Sequence, residues 1–172
     1  MEHAQHAQSR SCGACSLCCK IPLIEELSKP RGQWCVNFVR GTGCGIYETR
    51  PQTCRGFMCQ WLLDPAMPPE WDPKKSRMYM ATEGDRKLIV HVDAGSPGPW
   101  GPAHYPWLKK TAAHALSQGM MVLVIAAGQT SVVLPDRRVD LGAVSDKDVI
   151  KISEFGQGAA KRYDVEVARG AA

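Results

Sequence analysis

Long apolar runs, export signals and nucleotide-binding glycine patterns are all missing from this chain of 172 residues. The longest apolar run, residues 120–127, has the length of a strand, whereas a membrane-spanning helix needs about 20 apolar residues. The first residues, MEHAQ, lack the basic and apolar segments of a signal peptide, so we expect a cytoplasmic protein without a membrane partner. No GxGxxG or P-loop spacing occurs, so the sequence indicates no nucleotide site.

Cysteine is absent from residues 60–172, because all eight cysteines fall in the first third of the chain. They are Cys12, Cys15, Cys18, Cys19, Cys35, Cys44, Cys54 and Cys59. In a reducing compartment, clustered cysteines bind metal or carry redox chemistry more often than they form disulfides. An even count is also typical of a disulfide-stapled domain, so that alternative stays open.

A strong excess of one charge is missing too, since 21 Lys and Arg stand against 17 Asp and Glu. Most of the net charge of +4 lies within residues 1–60, beside the cysteines. Metal-bound cysteines are thiolates, so eight ligating cysteines with two Zn²⁺ ions would bring the net charge to zero. The charge balance therefore argues against a nucleic-acid partner.

Composition divides the chain into four parts. Residues 1–10 are polar and predict a mobile tail. Residues 11–60 hold the cysteines and many glycines but little apolar sequence, so bound metal is the expected source of order. Residues 61–75 are rich in proline and predict a connector, and residues 76–172 predict a small α+β part.

The α+β part shows the patterns of a sheet and one main helix. Apolar spacing predicts the helix over residues 106–118. Strands are predicted over 77–83 and 87–93, joined at Gly84-Asp85, over 120–126 and 131–134, joined at Gly128-Gln129, and over 139–141, 149–153 and 163–168. The predicted fold class is α+β: a small Gly-rich, metal-stapled cysteine module followed by a small antiparallel sheet with one main helix.

The densest cysteine run, CGACSLCC, covers residues 12–19 and contains overlapping CxxC steps. Such a step lets a tight turn present two sulfurs to one ion. On a continuous helix, Cys12, Cys15 and Cys19 would share one side and Cys18 would point away. Because Cys18 and Cys19 cannot readily join both flanking cysteines around one tetrahedral ion, the run is predicted to serve two sites or a multinuclear cluster.

The later cysteines stand in a stretch with its own chemical pattern. Gly43 and Gly45 flank Cys44 and would free the backbone for a metal-binding knuckle. Arg50 and Arg55 follow, and their guanidinium groups could offset thiolate charge or could simply be surface arginines. The sequence leaves both interpretations open.

The string CxxCxxCC, a further Cys, and then CGIYExRPxxCRxFxC resemble the CxxCxxCC family of zinc- or iron-chelating cysteine-cluster proteins (the YkgJ type). The matching stretch covers residues 12–59, about a third of the chain. The resemblance implies metal binding through the eight cysteines and says little about purpose. Ser16 stands where this family often has Gly. Flagellin lysine N-methylases carry a similar cluster that is associated with an iron–sulfur centre.

Thiolates are soft ligands that suit Zn²⁺, iron or an iron–sulfur cluster. Eight cysteines could form two four-cysteine zinc sites, one [4Fe–4S] cluster with spare thiols, or a zinc–thiolate cluster with bridging sulfurs. The leading hypothesis is a metal-binding protein that chelates zinc or iron. Its alternatives are an iron–sulfur oxidoreductase or protein-modifying enzyme that uses the cluster catalytically, and a thiol–disulfide protein. No catalytic residue is assigned, and a protein partner stays open.

Overall fold

The structure, a computed structural model, describes residues 10–12, 15–95 and 101–171. The predicted N-terminal tail lies outside these residues except for Arg10. The Arg10 guanidinium lies 3.5 Å from the centre of the Trp61 ring and donates to four backbone carbonyls of residues 61–67. In the described part of the chain, no helix has the length and apolar character needed to span a membrane.

The cysteine module, residues 11–60, consists of short elements joined by turns. They are 3₁₀ turns at Leu17–Cys19, Glu25–Leu27 and Tyr47–Thr49, strands β1 (Phe38–Val39) and β2 (Gly43–Cys44), and helix α1 (Gln52–Gly56). The two strands pair antiparallel, with Phe38 opposite Cys44. Because each of these elements spans only two to five residues, regular backbone hydrogen bonding alone gives this module little order.

The predicted Pro-rich connector folds into short helical segments. They are α2 (Gln60–Leu63), a 3₁₀ turn at Pro69–Trp71 and α3 (Pro73–Ser76). Pro69 and Pro73 open their segments, where a missing N–H leaves no intrahelical bond unmade. Met67 and Trp71 are 2% and 1% exposed and belong to the main hydrophobic core. This proline-rich stretch is therefore packed structure.

A five-stranded sheet and one long helix form the second region. The strands follow the order β3 (Met78–Glu83), β4 (Lys87–Val92), β5 (Met121–Ala126), β6 (Gln129–Val133) and β7 (Arg138–Gly142). Helix α4 (Tyr105–Ser117) crosses over between β4 and β5, so these two strands pair in parallel while the other neighbours are antiparallel. Strands β8 (Val149–Phe155) and β9 (Arg162–Ala168) form a separate hairpin.

This architecture confirms the predicted α+β class with one main helix. The parallel pair is the one departure from an antiparallel five-stranded sheet. The hairpin between β5 and β6 turns one residue earlier than predicted, at Ala127 and Gly128, whose φ angles are 49° and 76°. Positive φ at both central residues is typical of a type I′ turn, which matches the twist of paired strands.

The two faces of the sheet pack against different partners. One face, with Met78 and Val90, packs against α4. The core cluster between them also includes Trp71 and Leu108. On the opposite face, Tyr79 packs in one apolar cluster with residues of the cysteine module, and the β8–β9 hairpin covers the strands farther along. The cysteine module therefore rests directly on the sheet.

A buried ion pair also joins the module to the sheet. Asp93, just after β4 and 2% exposed, lies 2.6 Å from Lys20 Nζ and 2.5 Å from an Arg77 nitrogen. Burial alone would raise the pKa of Asp93, but hydrogen bonds from Lys20, the Gly95 amide and Arg77 lower it below the ordinary value. Because Lys20 directly follows Cys19, the pair ties the cysteine run to the end of β4.

Candidate metal centre

All eight cysteines line one cavity of about 620 Å³ in the cysteine module. Each is a free thiol, and each is buried or half-buried. Apolar side chains, among them Leu23, Ile24 and Phe57, form much of the remaining wall, and Tyr79 of β3 contributes from the sheet. The fold therefore brings the complete set of predicted ligands to one place.

Local backbone hydrogen bonds link the described residues of the first cysteine run. The Cys15 N–H donates to the Cys12 carbonyl at 2.8 Å, and the Cys19 N–H donates to the Ser16 carbonyl at 2.9 Å. The Cys19 carbonyl in turn accepts the Cys35 N–H at 2.8 Å. A continuous helix does not form, so Cys19 lies beside Cys35 rather than sharing a helix face with Cys12 and Cys15.

Cys12, Cys15, Cys18 and Cys59 form a first group. Cys59 is buried in the apolar cluster of the sheet face, and Cys15 packs against that cluster. Burial raises the pKa of Cys59, and the charges of Cys12 and Cys15 add to that rise. Burial also raises the pKa of Cys12, followed by the charge of Cys18. These charge effects, together with the shared apolar cluster, are the basis on which we group the four cysteines.

Cys19, Cys35, Cys44 and Cys54 form a second group. Two of them lie close to the β1–β2 pair: Cys35 precedes β1 and its Sγ accepts the Asn37 N–H at 3.4 Å, and Cys44 ends β2. Burial raises the pKa of Cys54, and the charges of Cys18, Cys35 and Cys44 raise it further.

The two groups adjoin at the vicinal cysteines. The Cys18 thiol donates a hydrogen bond to the Cys19 sulfur, and this bond, together with burial, raises the pKa of Cys18. The same bond lowers the pKa of Cys19, because it stabilises the Cys19 thiolate. The run of residues 12–19 thus supplies cysteines to both groups.

Lys29 is a buried cation beside the second group. Its side chain is 4% exposed, and Nζ donates to the backbone carbonyls of Lys20, Pro22 and Pro30. Burial lowers the pKa of Lys29, while the nearby charges of Cys19 and Cys35 oppose that change. Sequence reasoning missed this residue, because nothing in a short polar segment indicates that its lysine is enclosed.

Arg50 and Arg55, which the sequence left equivalent, have different surroundings. Arg50 lines the cavity, and its guanidinium carbon lies 3.8 Å from the centre of the Tyr47 ring. Its Nε is buried and has no hydrogen-bond partner among the described residues. Arg55 is exposed, and its Nε donates to the Arg50 carbonyl at 2.7 Å. Arg50 is therefore the arginine that faces the thiols.

Among the residues that the structure describes, no group of three or more His, Cys, Asp or Glu side chains is arranged so that it could hold a metal ion. The sulfurs are spread around the cavity wall. The donor set nevertheless fits a thiophilic metal, because four thiolates are the complete ligand set of a tetrahedral zinc or iron centre. Binding an ion would require the sulfurs of each group to move inward.

Comparisons of the chain with protein-family models, curated proteins and solved structures find no match. The resemblance to the CxxCxxCC family therefore rests on the cysteine pattern, and function has to be argued from the chemistry of the site.

Proposed function

We propose that this protein binds zinc or iron through two adjoining four-cysteine sites. The first would use Cys12, Cys15, Cys18 and Cys59, and the second Cys19, Cys35, Cys44 and Cys54. The observation that carries the proposal is the convergence of every cysteine of the chain on one cavity.

The electrostatics of the cavity support a bound cation. Burial contributes to a raised pKa at five thiols of the cavity, Cys12, Cys15, Cys18, Cys54 and Cys59, so these thiols resist ionisation. A divalent ion removes that cost for the four thiolates it binds. When bound, zinc would supply folding free energy, and a site closed by four thiolates leaves no open position for a substrate.

The decisive measurement is the metal and acid-labile sulfide content of protein purified without oxygen. Two zinc ions per chain without sulfide would support two closed sites. Absence of both metals from protein that is folded and rebinds none on addition would reject the proposal.

Single substitutions separate the two sites. We expect Cys18→Ser and Cys19→Ser each to retain one ion, with Cys18→Ser emptying the first site and Cys19→Ser the second. Ser11→Ala, which alters another residue of the cavity wall, is the matched control and should retain both ions. Identical loss in the two cysteine variants would instead favour a single multinuclear cluster.

The size of the cavity favours one alternative, an iron–sulfur enzyme. About 620 Å³ lies within the range of small-molecule pockets, and side chains such as Leu23, Leu27 and Leu62 would give an organic substrate an apolar surface beside the metal. Iron with stoichiometric sulfide and a visible absorption band that bleaches on reduction would support this alternative over closed zinc sites.

A further inference from the structure

Arg50 is a residue of the cavity wall whose charge reaches cysteines of both groups. It lines the same cavity as Cys12 of the first group and Cys44 of the second, and its charge interacts with both. Cys18, the boundary residue of the first group, also experiences the charge of Arg50. No carboxylate in the described ranges forms an ion pair with this guanidinium. Thiolates formed when a metal ion binds would therefore give it anionic partners in the cavity wall.

The guanidinium is held in place while part of its hydrogen-bonding capacity is unused. Stacking 3.8 Å from the centre of the Tyr47 ring fixes its plane. The buried Nε–H lacks an acceptor among the described residues, and a buried donor without a partner costs free energy. A thiolate sulfur brought inward by a metal ion would give such a donor an acceptor, since outer N–H groups commonly support metal ligands.

A cation at this position has a specific electrostatic consequence. A dication bound by four thiolates leaves a net charge of −2, so two adjoining sites of this kind repel each other. We infer that Arg50 is a shared counter-ion that orients the thiolates of Cys12 and Cys44 and lets the second metal ion bind beside the first. This inference rests on the proposed function and assigns Arg50 a positioning role.

Other cations near the cysteines are less suited to this role. Lys29 already donates to three backbone carbonyls, and Lys74, which also lines the cavity, is exposed. Arg55 is exposed and donates to the backbone of Arg50. Arg55 therefore provides a matched control: an arginine of the same stretch that does not line the cavity.

The test is a Zn²⁺ titration of the metal-free protein against a competing chromophoric chelator, which resolves two stepwise dissociation constants. We expect Arg50→Met to raise the second constant about tenfold, which corresponds to about 1.4 kcal/mol, and the first constant by less. Arg50→Lys keeps the charge and should preserve most of the second-ion affinity. Arg55→Met should match the wild type. High salt should reduce the difference between Arg50→Met and the wild type, because salt screens the repulsion between the sites.

Several results would overturn the inference. Equal weakening of both steps in Arg50→Met and Arg50→Lys, insensitive to salt, would show a purely structural role. Unchanged constants in Arg50→Met, or two independent sites in the wild type, would remove the coupling while leaving the proposed function intact. Failure of the wild type to bind Zn²⁺ would overturn the inference, and failure to bind iron as well would reject the proposed function. If Arg50→Met does not fold, the comparison of Arg50→Lys with the wild type at low and high salt decides.

Discussion

The cysteine module and the sheet region of this chain are ordered by different means. In the sheet region, paired strands of five to seven residues and a buried apolar core order the backbone. Side chains such as Met78, Val90 and Leu108 are fully buried there. The module has elements of two to five residues, and its concave interior is lined by thiols. Apolar burial explains the order of the sheet region. In the cysteine module, thiol groups line the interior that apolar side chains would fill in an ordinary core.

The contrast predicts where a bound metal contributes stability. Apolar burial stabilises the sheet region whether or not metal is bound. Thiol groups around an open cavity stabilise the folded module only when they bind an ion. The module should therefore respond to metal far more strongly than the sheet, and each of the following experiments tests that difference.

Removal of metal should have the largest effect. Binding of structural zinc to four ligands supplies on the order of 10 kcal/mol, so stripping the ions should expose the backbone amides of residues 11–60 to hydrogen exchange. The amides of β3, β4 and β5 should keep most of their protection. Uniform loss of protection across both regions would show that the two form one cooperative unit and would contradict the comparison.

Truncation of a side chain in the sheet core should lower the free energy of unfolding and leave metal binding unchanged. Leu108 of α4 is fully buried in the main cluster, so Leu108→Ala should lower the free energy of unfolding by about 3 kcal/mol through lost burial and the cavity left behind. Metal stoichiometry should stay at the wild-type value. Lys110→Ala, at an exposed position of the same helix, is the control for helix propensity. Loss of metal in Leu108→Ala alone would show that the module depends on the core.

Much of the sheet region could be predicted from the sequence because its signals are local. Apolar patterns predict strands over 87–93 and 120–126, which form at Lys87–Val92 and Met121–Ala126. Apolar spacing over 106–118 predicts the helix that forms at Tyr105–Ser117. The parallel pairing of β4 and β5 could not be predicted in this way, since it depends on where the helix carries the chain. Burial of Trp71 from a proline-rich stretch is likewise a tertiary effect.

The candidate site could likewise be predicted only in part from the sequence. The eight candidate ligands could be named from their spacing, but their placement depends on the first run, in which Leu17–Cys19 forms a short 3₁₀ turn among the described residues. The enclosure of Lys29 depends on carbonyls of Lys20 and Pro22, contributed by a different part of the loop. The distinction between Arg50 and Arg55 depends on which one reaches the cavity. Such features arise from contacts that a one-dimensional pattern does not contain.

The ion pair between the two regions should have an intermediate effect. Asp93→Asn removes the buried carboxylate that accepts from Lys20 and Arg77, so we expect a loss of about 2 kcal/mol, reduced from the fully buried case because both cations are partly exposed. Hydrogen exchange should rise at both ends of the pair, in the run of residues 12–19 and at the end of β4. Asp136→Asn, at an exposed ion pair, is the control and should change little.

The same pair gives a pH dependence with a defined sign. The folded-state pKa of Asp93 is below its unfolded value of about 3.9, so its contribution is complete above that pH and is lost as the pH falls through the folded pKa. The difference in unfolding free energy between the wild type and Asp93→Asn should therefore be constant near neutrality and narrow in acid. A difference that does not change with pH would show that the carboxylate charge is not what joins the two regions.

The smallest predicted effects on stability and metal affinity come from a glycine-to-alanine substitution in each region. Gly43 in the module and Gly128 in the β5–β6 turn have φ angles of 103° and 76°, which an alanine adopts at a cost of about 1–2 kcal/mol. Gly128→Ala should lower the free energy of unfolding by that amount and leave Zn²⁺ affinity unchanged. Gly43→Ala, next to Cys44, should weaken Zn²⁺ binding about tenfold, since 1.4 kcal/mol corresponds to a factor of ten. Equal effects of the two substitutions on Zn²⁺ affinity would argue against a module whose order is coupled to its metal.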